Sequence, residues 1–301
     1  MIEIKNLTKR FDNKEALSNV SATIQEGCIY GLIGANGAGK STLLRLIAGV
    51  YKADSGEVLI DGEPVYENPK AKEKINFVAD DIFFLAGTNL TRMSATYASL
   101  FKNFSKERFL ELTSIFGLDL KAPISTFSKG MKRQAGIALN MSCMPKYIFF
   151  DETFDGLDPV VRNKVKSLFI ADVLERKTTI ILTSHSLREL EDTCDQLSLL
   201  HKGGIVFESD IQDLKSDMFK VQIGFDYDFT KELFASFEIL DYVQHGHIAS
   251  FILKGEKDIL VEKLKELNPV MIETIPLSLE EIFIHKTSEL GYMLDEVKNE
   301  K

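Results

Sequence analysis

Short apolar segments alternate with amphipathic ones along the first two thirds of the chain. Residues 3–7 and 16–24 alternate apolar and polar positions with a period of two, which predicts two early strands. Residues 29–33 are apolar apart from one glycine, as in a strand that is buried on both faces. Residues 41–50 repeat their apolar positions with helical spacing, so the chain is predicted to begin as an α/β fold.

The pattern becomes helical with polar breaks between about residues 83 and 144. Ser105 is typical of a helix N-cap and Gly117 of a helix end. Further on, strands predicted at residues 147–150, 178–183 and 196–200 alternate with helices predicted at 161–175 and 187–194. This alternation predicts a parallel sheet covered by helices on both faces, with residues 83–144 as an inserted helical subdomain.

The character of the chain changes again after about residue 215. Residues 219–225, 237–240 and 248–253 are predicted to be strands separated by acidic turns. We therefore predict two domains, a first at residues 1–212 and a small α+β accessory domain at 216–301. The charged tail, residues 294–301, is expected to be frayed.

Bulk composition restricts the classes of function. The 301 residues carry a net charge of −9, which argues against nucleic-acid binding because such proteins usually have a basic face. No run approaches the 18 apolar residues of a membrane-spanning helix. If the protein acts at a membrane, we expect a partner to supply the spanning helices.

A glycine-rich segment lies between the apolar strand at residues 29–33 and the first helix. It matches the pattern G-x-x-x-x-G-K-[ST] in the strand-to-helix context that this pattern requires. The backbone N–H groups of such a loop and the helix N-terminus bind phosphates, while the lysine reaches the β- and γ-phosphates and the serine ligates Mg²⁺. We predict that ATP is bound by Gly34, Ala35, Asn36, Gly37, Ala38, Gly39, Lys40, Ser41 and Thr42.

Two adjacent carboxylates end the apolar strand at residues 147–150. Neighbouring side chains at a strand end point to opposite faces, so Asp151 and Glu152 need not repel each other. Asp151 is placed to hold Mg²⁺, directly or through water, and Glu152 to polarise the attacking water as a general base. Two exposed turn acids are the alternative interpretation.

Three further segments resemble the ATP-binding subunits of ABC transporters, and the likeness covers about residues 1–212. Residues 127–134, Phe-Ser-Lys-Gly-Met-Lys-Arg-Gln, resemble the family signature L-S-G-G-Q. Asp-Gly-Leu-Asp at 155–158 and Thr-Ser-His at 183–185 have the order and spacing of the family. The resemblance implies a P-loop NTPase with a RecA-like core, an N-terminal antiparallel β subdomain and an inserted helical subdomain.

The resemblance also implies a head-to-tail dimer in which each ATP lies between the P-loop of one subunit and the signature of the other. Ser128 precedes a helix, so its hydroxyl and the following N–H groups, including that of Gly130, form an anion site; a plain N-cap is the alternative. Asp158 would contact the opposite P-loop. His185 would contact the γ-phosphate and orient the attacking water, and Phe11 would stack on adenine. A structural histidine and a core phenylalanine are the alternatives.

A few positions depart from the family pattern. Asp80 and Asp81 follow the predicted strand at residues 75–79, where the family usually has glutamine. Asp80 is predicted to meet Mg²⁺ or its waters, although an ionised carboxylate donates no hydrogen bond. How Asp80 would connect the nucleotide site to a membrane partner is therefore an open question. Lys129 and Met131 replace a glycine and the glutamine of the signature without removing its serine or second glycine.

In detail the motifs resemble exporter ATPases of the ABC-2 type from Gram-positive bacteria, a branch that includes antimicrobial-peptide and peptide-toxin exporters. The resemblance implies a homodimer held at the cytoplasmic face of the membrane by a separate permease subunit, with no nucleic-acid partner. The permease is expected to dock near residues 83–97, where Phe83, Phe84 and Leu85 offer apolar contact or, alternatively, belong to the core. A nucleotide-gated regulatory module without transport is the competing function.

Overall fold

The structure, a computed structural model, describes residues 1–12, 14–216 and 218–289. The strands and helices of the first part of these residues follow the order β1 (Ile2–Phe11), β2 (Lys14–Ile24), β3 (Ile29–Ile33), α1 (Lys40–Ile47), β4 (Ser55–Ile60), β5 (Glu63–Pro64), α2 (Pro69–Lys72), β6 (Ile75–Val78), α3 (Leu90–Leu100), α4 (Lys106–Phe116), α5 (Lys129–Met141), β7 (Tyr147–Phe150), α6 (Pro159–Arg176), β8 (Thr179–Ser184), α7 (Leu187–Leu190), β9 (Gln196–His201) and β10 (Gly204–Asp210). They continue with α8 (Ile211–Ser216), β11 (Met218–Gly224), β12 (Ile239–His245), β13 (Ile248–Lys254), α9 (Lys257–Lys265), β14 (Met271–Ile275) and α10 (Leu279–Glu289).

The chain forms two compact units that divide between Glu208 and Ser209. The boundary predicted from the sequence, at residues 212–216, lies slightly further along the chain, and the assignment of functional domains stays a prediction. Among the described residues, no helix combines the length and the apolar character needed to cross a membrane.

The first unit contains an antiparallel sheet with the strand order β2-β1-β4-β5. Ile2 of β1 pairs with Ile24 of β2 on one side and with Ile60 of β4 on the other. All three side chains are buried in one apolar cluster, which explains the period-two alternation in the sequence.

The second sheet of this unit has the order β10-β9-β3-β8-β7-β6, and its pairs β9/β3, β3/β8, β8/β7 and β7/β6 are parallel. Every residue of β3, β7 and β8 is buried, as expected for strands covered on both faces. Ile33 lies beside Ser184, and Phe150 lies beside Leu182. The residues that follow β3, β7 and β8 therefore emerge side by side at the carboxyl edge of the sheet, where α/β proteins bind ligands.

Three helices, α3, α4 and α5, lie within the predicted helical range and share an apolar cluster that includes Leu90, Phe109 and Leu139. The predicted capping of α4 is confirmed, because the Ser105 hydroxyl accepts a hydrogen bond from the Arg108 N–H at 3.1 Å. The helix ends at Gly117, which has a left-handed conformation.

The second unit is built on an antiparallel sheet with the order β12-β13-β11-β14. Its core contains Val221 and an aromatic group in which the Phe234 ring lies 4.8 Å from Phe251 and 6.2 Å from Phe225. The α+β class predicted for this region is confirmed. The tail predicted to fray, residues 294–301, lies outside the described residues.

Several predicted elements have wrong boundaries. The strand expected at residues 3–7 extends to Phe11, and the helix expected at residues 41–50 ends at Ile47. The helix expected at residues 187–194 ends at Leu190, because the Asp195 N–H bonds to the Ile29 carbonyl at 2.8 Å and brings the chain into β9. The strand expected at 237–240 begins at Ile239 and continues to His245, since its pairing with β13 sets its extent.

Candidate functional site

The loop at residues 34–39 joins the end of β3 to the start of α1. Gly39 has a φ of 110°, and a Cβ atom there would lie 2.7 Å from the Ala16 carbonyl oxygen. Only glycine fits this position, because side-chain-bearing residues rarely adopt such a φ and the contact is with backbone. The turn leaves the first N–H groups of α1 free to bind an anion, as predicted for the P-loop.

Lys40 lies inside this loop and is only 5% exposed. Its Nζ atom donates hydrogen bonds to the Gly34 carbonyl at 2.7 Å and to the Ala35 carbonyl at 3.2 Å. Nζ also lies 3.2 Å from Oε1 of Glu152. An ammonium group buried this deeply requires an anionic neighbour, so the loop holds a positive charge where phosphate groups would lie.

A buried carboxylate faces the start of α1. The Ser41 hydroxyl donates to Oδ1 of Asp151 at 2.9 Å, and the Thr183 hydroxyl donates to the same oxygen at 2.9 Å. Hydroxyl and carboxylate oxygens are the ligands that Mg²⁺ prefers. Thr183 is not among the residues that the sequence predicted for the site. The register between β7 and β8 is the information that identifies Thr183. Phe150 pairs with Leu182, so the residues that follow them, Asp151 and Thr183, lie side by side.

Glu152 joins three parts of the site. Its backbone N–H donates to the Thr183 hydroxyl at 2.9 Å, and its carboxylate contacts Lys40 through one oxygen and Nδ1 of His185, at 3.0 Å, through the other. Its φ of 47° is unusual for a residue with a side chain, and such conformations cluster at functional sites. A hydrogen bond to an ionised carboxylate requires the imidazole tautomer that has its proton on Nδ1. Nε2 of the exposed imidazole is the second nitrogen available for contact.

The signature segment lies at the start of α5. Ser128 is the N-cap, and its hydroxyl accepts from the Met131 N–H at 3.2 Å. Lys129 forms an ion pair with Asp155 at 2.7 Å, and this hydrogen bond holds the pKa of Asp155 below its usual range. A Cβ atom at Gly130 would lie 3.2 Å from the Gly156 carbonyl oxygen. The signature therefore packs closely on the loop at residues 155–158 of the same chain.

Asp158 is the N-cap of α6, where its Oδ1 atom accepts from the Val160 and Val161 N–H groups, both at 3.0 Å. Ser128 and Asp158 thus both cap helices within the chain, and their predicted contacts across a dimer stay predictions.

Phe11 and Asp80 lie away from this cluster of contacts. The Phe11 ring is 41% exposed and meets Tyr51 edge-on at 5.5 Å, so it is not a core residue. Its predicted stacking on adenine stays a prediction. Oδ1 of Asp80 lies 2.6 Å from Nη2 of Arg133. No hydrogen bond or ion pair within the described residues joins Asp80 to Asp151, so its predicted contact with Mg²⁺ also stays untested.

The residues at the carboxyl edge fit a magnesium–nucleotide complex. Lys40 and the α1 N-terminus offer positive charge to phosphates, Ser41 and Asp151 offer hard oxygen ligands, and Glu152 can accept a proton from water. A glycine loop, a lysine, a serine and two strand-terminal carboxylates in this geometry define a P-loop ATPase.

Comparison with known proteins identifies the family. A profile described as ABC transporter matches residues 17–155. The chain is 32% identical over 287 residues to the ABC transporter ATP-binding protein YtrB of Bacillus subtilis (strain 168), a match that covers 95% of this chain and 98% of that protein. The chain therefore belongs to the ABC transporter ATP-binding family. It is an ATPase that uses ATP with Mg²⁺ and works with a second ATP-binding subunit and a membrane permease.

Two further similarities concern the larger part of the chain. It is 30% identical over 218 residues to the bacitracin transport ATP-binding protein BcrA of Bacillus licheniformis, covering 71% of each chain. A solved ATP-binding subunit of an ABC transporter superposes with a TM-score of 0.66 and 25% identity over 71% of this chain and 92% of that one. The predicted P-loop NTPase fold is thereby confirmed.

Proposed function

We propose that this protein is the motor subunit of an exporter, in which ATP hydrolysis by a head-to-tail homodimer drives a permease from the cytoplasmic face of the membrane. The observation that carries the proposal is the contact series Lys40–Glu152–His185 at the carboxyl edge of the parallel sheet. The carboxylate of Glu152, the proposed general base, lies 3.2 Å from Nζ of Lys40 and 3.0 Å from Nδ1 of His185, so the phosphate-binding lysine and the water-orienting histidine contact the same side chain.

The residues of this series and the two metal-binding residues beside it have separate tasks. Lys40 and the N-terminus of α1 would bind and orient the phosphates, and Ser41 with Asp151 would hold the metal ion. Mg²⁺ held there would neutralise negative charge on the phosphates. Glu152 accepts the proton of the attacking water, and Nε2 of His185 orients that water.

The arrangement of the signature supports a dimer. Among the described residues, no hydrogen bond or ion pair joins Ser128 or Gly130 to residues 34–42. In this proposal the N-cap of α5 and the P-loop are two separate anion sites of one chain. A second copy related head-to-tail would bring the two together around each ATP.

The relatives support a cargo class. One is described as a bacitracin transport ATP-binding protein and another as a linearmycin resistance ATP-binding protein. Export of a peptide or another antimicrobial compound is the corresponding proposal for this protein.

Permease docking is proposed at the loop after β6. Phe83 is 79% exposed and Leu85 is also exposed, and both line a cavity of about 360 Å³ together with Lys132. Phe84 lines the same cavity and also packs against the apolar cluster of the helical subdomain. The core alternative therefore fits Phe84, whereas docking is proposed at Phe83 and Leu85.

The decisive experiment is Glu152→Gln, which keeps the side-chain shape but removes the base. We expect ATP turnover to fall by about 100-fold or more, while the variant still binds ATP and forms an ATP-dependent dimer in size-exclusion chromatography with light scattering. Glu175→Gln, an exposed carboxylate of α6, is the matched control. Turnover at the wild-type rate in E152Q would refute the assignment. Absence of export in vesicles holding the permease and an active ATPase would favour a regulatory module.

A further inference from the structure

Helix α5 lies along β6 and the segment that follows it. The Asn76 side chain of β6 donates to Oδ1 of Asn140 at 3.3 Å. A Cβ atom at Gly136 would lie 2.5 Å from Cδ1 of Ile82, so the absence of a side chain allows this close packing. Arg133, Gly136 and Asn140 are spaced i, i+3 and i+7 and share one helix face.

The ion pair between Asp80 and Arg133 belongs to this same face. Arg133 is only 2% exposed, and its Nη2 atom lies 2.6 Å from the Asp80 carboxylate. Nη1 of Arg133 is buried and has no hydrogen-bond partner among the described residues. The Asp80 carboxylate itself is exposed. A buried guanidinium relies on its partner far more than a surface cation does, so Arg133 fixes its position through Asp80.

The ion pair lies between the end of β6, beside Asp151, and the signature helix α5. The Asp151 N–H donates to the Val78 carbonyl at 2.9 Å, so the end of β6 is attached directly to the carboxylate at the metal position. Asp80 comes two residues after Val78. Arg133 comes five residues after Ser128, within the first turns of the helix that the signature begins. One ion pair therefore joins the strand end beside Asp151 to the signature helix.

We propose that Asp80 and Arg133 form a positioning ion pair that couples the hydrolysis site to the signature helix, and that Asp80 acts through Arg133 rather than as a magnesium ligand. The proposal rests on the proposed function and deepens it. When a second subunit's ATP is bound against Ser128, the pair transmits the position of α5 to the segment that holds Asp151.

The test compares Asp80→Asn, Arg133→Gln, the double variant and the exchanged pair D80R/R133D in the full chain. We expect each single variant to lower kcat about tenfold or more, since misplacement by about 1 Å can cost about 100-fold. The double variant should be no slower than the slower single variant, because both changes break one contact. The exchanged pair should recover part of kcat. The KM for ATP and the Mg²⁺ concentration for half-maximal activity should stay within about twofold of wild type.

Glu175→Gln, at an exposed carboxylate of α6 with no ion pair among the described residues, is the control and should leave kcat unchanged. A tenfold rise in the Mg²⁺ requirement of D80N, with R133Q unaffected, would instead make Asp80 a metal ligand. Wild-type kcat in D80N, or additive losses in the double variant, would also overturn the proposal. If R133Q fails to fold, D80N decides alone through kcat and its Mg²⁺ requirement. A wild-type chain without ATPase activity would refute the proposed function and not this pair in particular.

Discussion

The Thr183 hydroxyl supports both carboxylates of the site from one buried position. Thr183 is 1% exposed, its Oγ1 accepts from the Glu152 N–H, and it donates to Oδ1 of Asp151, both at 2.9 Å. Thr183→Val keeps the branched shape and removes both hydrogen bonds. Losing a hydrogen bond to a charged group costs about 1.5–3 kcal/mol, and leaving the Glu152 N–H unpaired adds about 1–3 kcal/mol. After local relaxation we expect the first unit to lose about 3 kcal/mol of its free energy of unfolding.

Thr178→Val provides the matched control. Thr178 is 2% exposed and directly precedes β8, but its hydroxyl has no hydrogen-bond partner among the described residues. Removing it should leave stability unchanged or raise it slightly. The chain contains no tryptophan, so urea unfolding is followed by far-UV circular dichroism. With a slope of about 3 kcal/mol/M, the midpoint of T183V should fall by about 1 M. Calorimetry assigns the shifted transition to one of the two units, since a chain of two units need not unfold in a single step.

The same variants separate stability from catalysis. T183V should also lower kcat, because the Asp151 carboxylate and the Glu152 backbone both lose a fixed partner, whereas Thr183→Ser should retain most of the activity. Equal midpoint shifts in T183V and T178V would show that the hydroxyl contributes nothing to stability. A destabilised T183V with wild-type kcat would restrict the hydroxyl to a structural role.

The other predictions concern separate parts of the first unit. Burial raises the pKa of Asp61, but hydrogen bonds from Lys74, Tyr147 and other donors outweigh it and lower the pKa. Its stabilisation is therefore complete above the unfolded pKa of about 3.9 and is lost as the pH falls below it toward the lower folded pKa. Asp61→Asn should lower the urea midpoint at pH 7 and flatten its decrease between about pH 4 and 2. Gly39→Ala should weaken ATP binding, measured with a fluorescent nucleotide, and destabilise the unit by about 1–3 kcal/mol, because its φ of 110° strains any side chain. His185→Ala should slow single-turnover hydrolysis by about 100-fold with an ATP dissociation constant within about twofold of wild type.

Local chemistry explains which parts of the fold and site could be predicted. The apolar run of β3, the glycine loop and the start of α1 are neighbours in sequence, and each requires only its own residues to be recognised. The same holds for β7, whose four apolar residues end at Asp151 and Glu152. A parallel sheet brings such strand ends to one edge, so the meeting of the P-loop with both carboxylates follows from the fold class.

Contacts between distant residues could not be predicted in this way. Asp80 and Arg133 are far apart in sequence, and neither a motif nor a periodicity connects them. The role of Thr183 depends on the register between β7 and β8, which a single sequence does not specify. The extent of β12 depends likewise on its pairing with β13. In each case the missing information is a pairing between segments and not a property of either segment.

Ser128 and Asp158 can cap helices of their own chain and still make the contacts predicted across a dimer, Ser128 with ATP and Asp158 with the opposite P-loop. A serine hydroxyl has two acceptor lone pairs and one donor, and Ser128 accepts from the Met131 N–H. Its proton is available for the predicted contact with a phosphate oxygen of ATP bound to the opposite subunit. Asp158 accepts two N–H groups through Oδ1 alone, which leaves Oδ2 for a contact across the dimer. Because each cap already fixes the side chain against its own helix, little conformational entropy is lost when the second subunit binds.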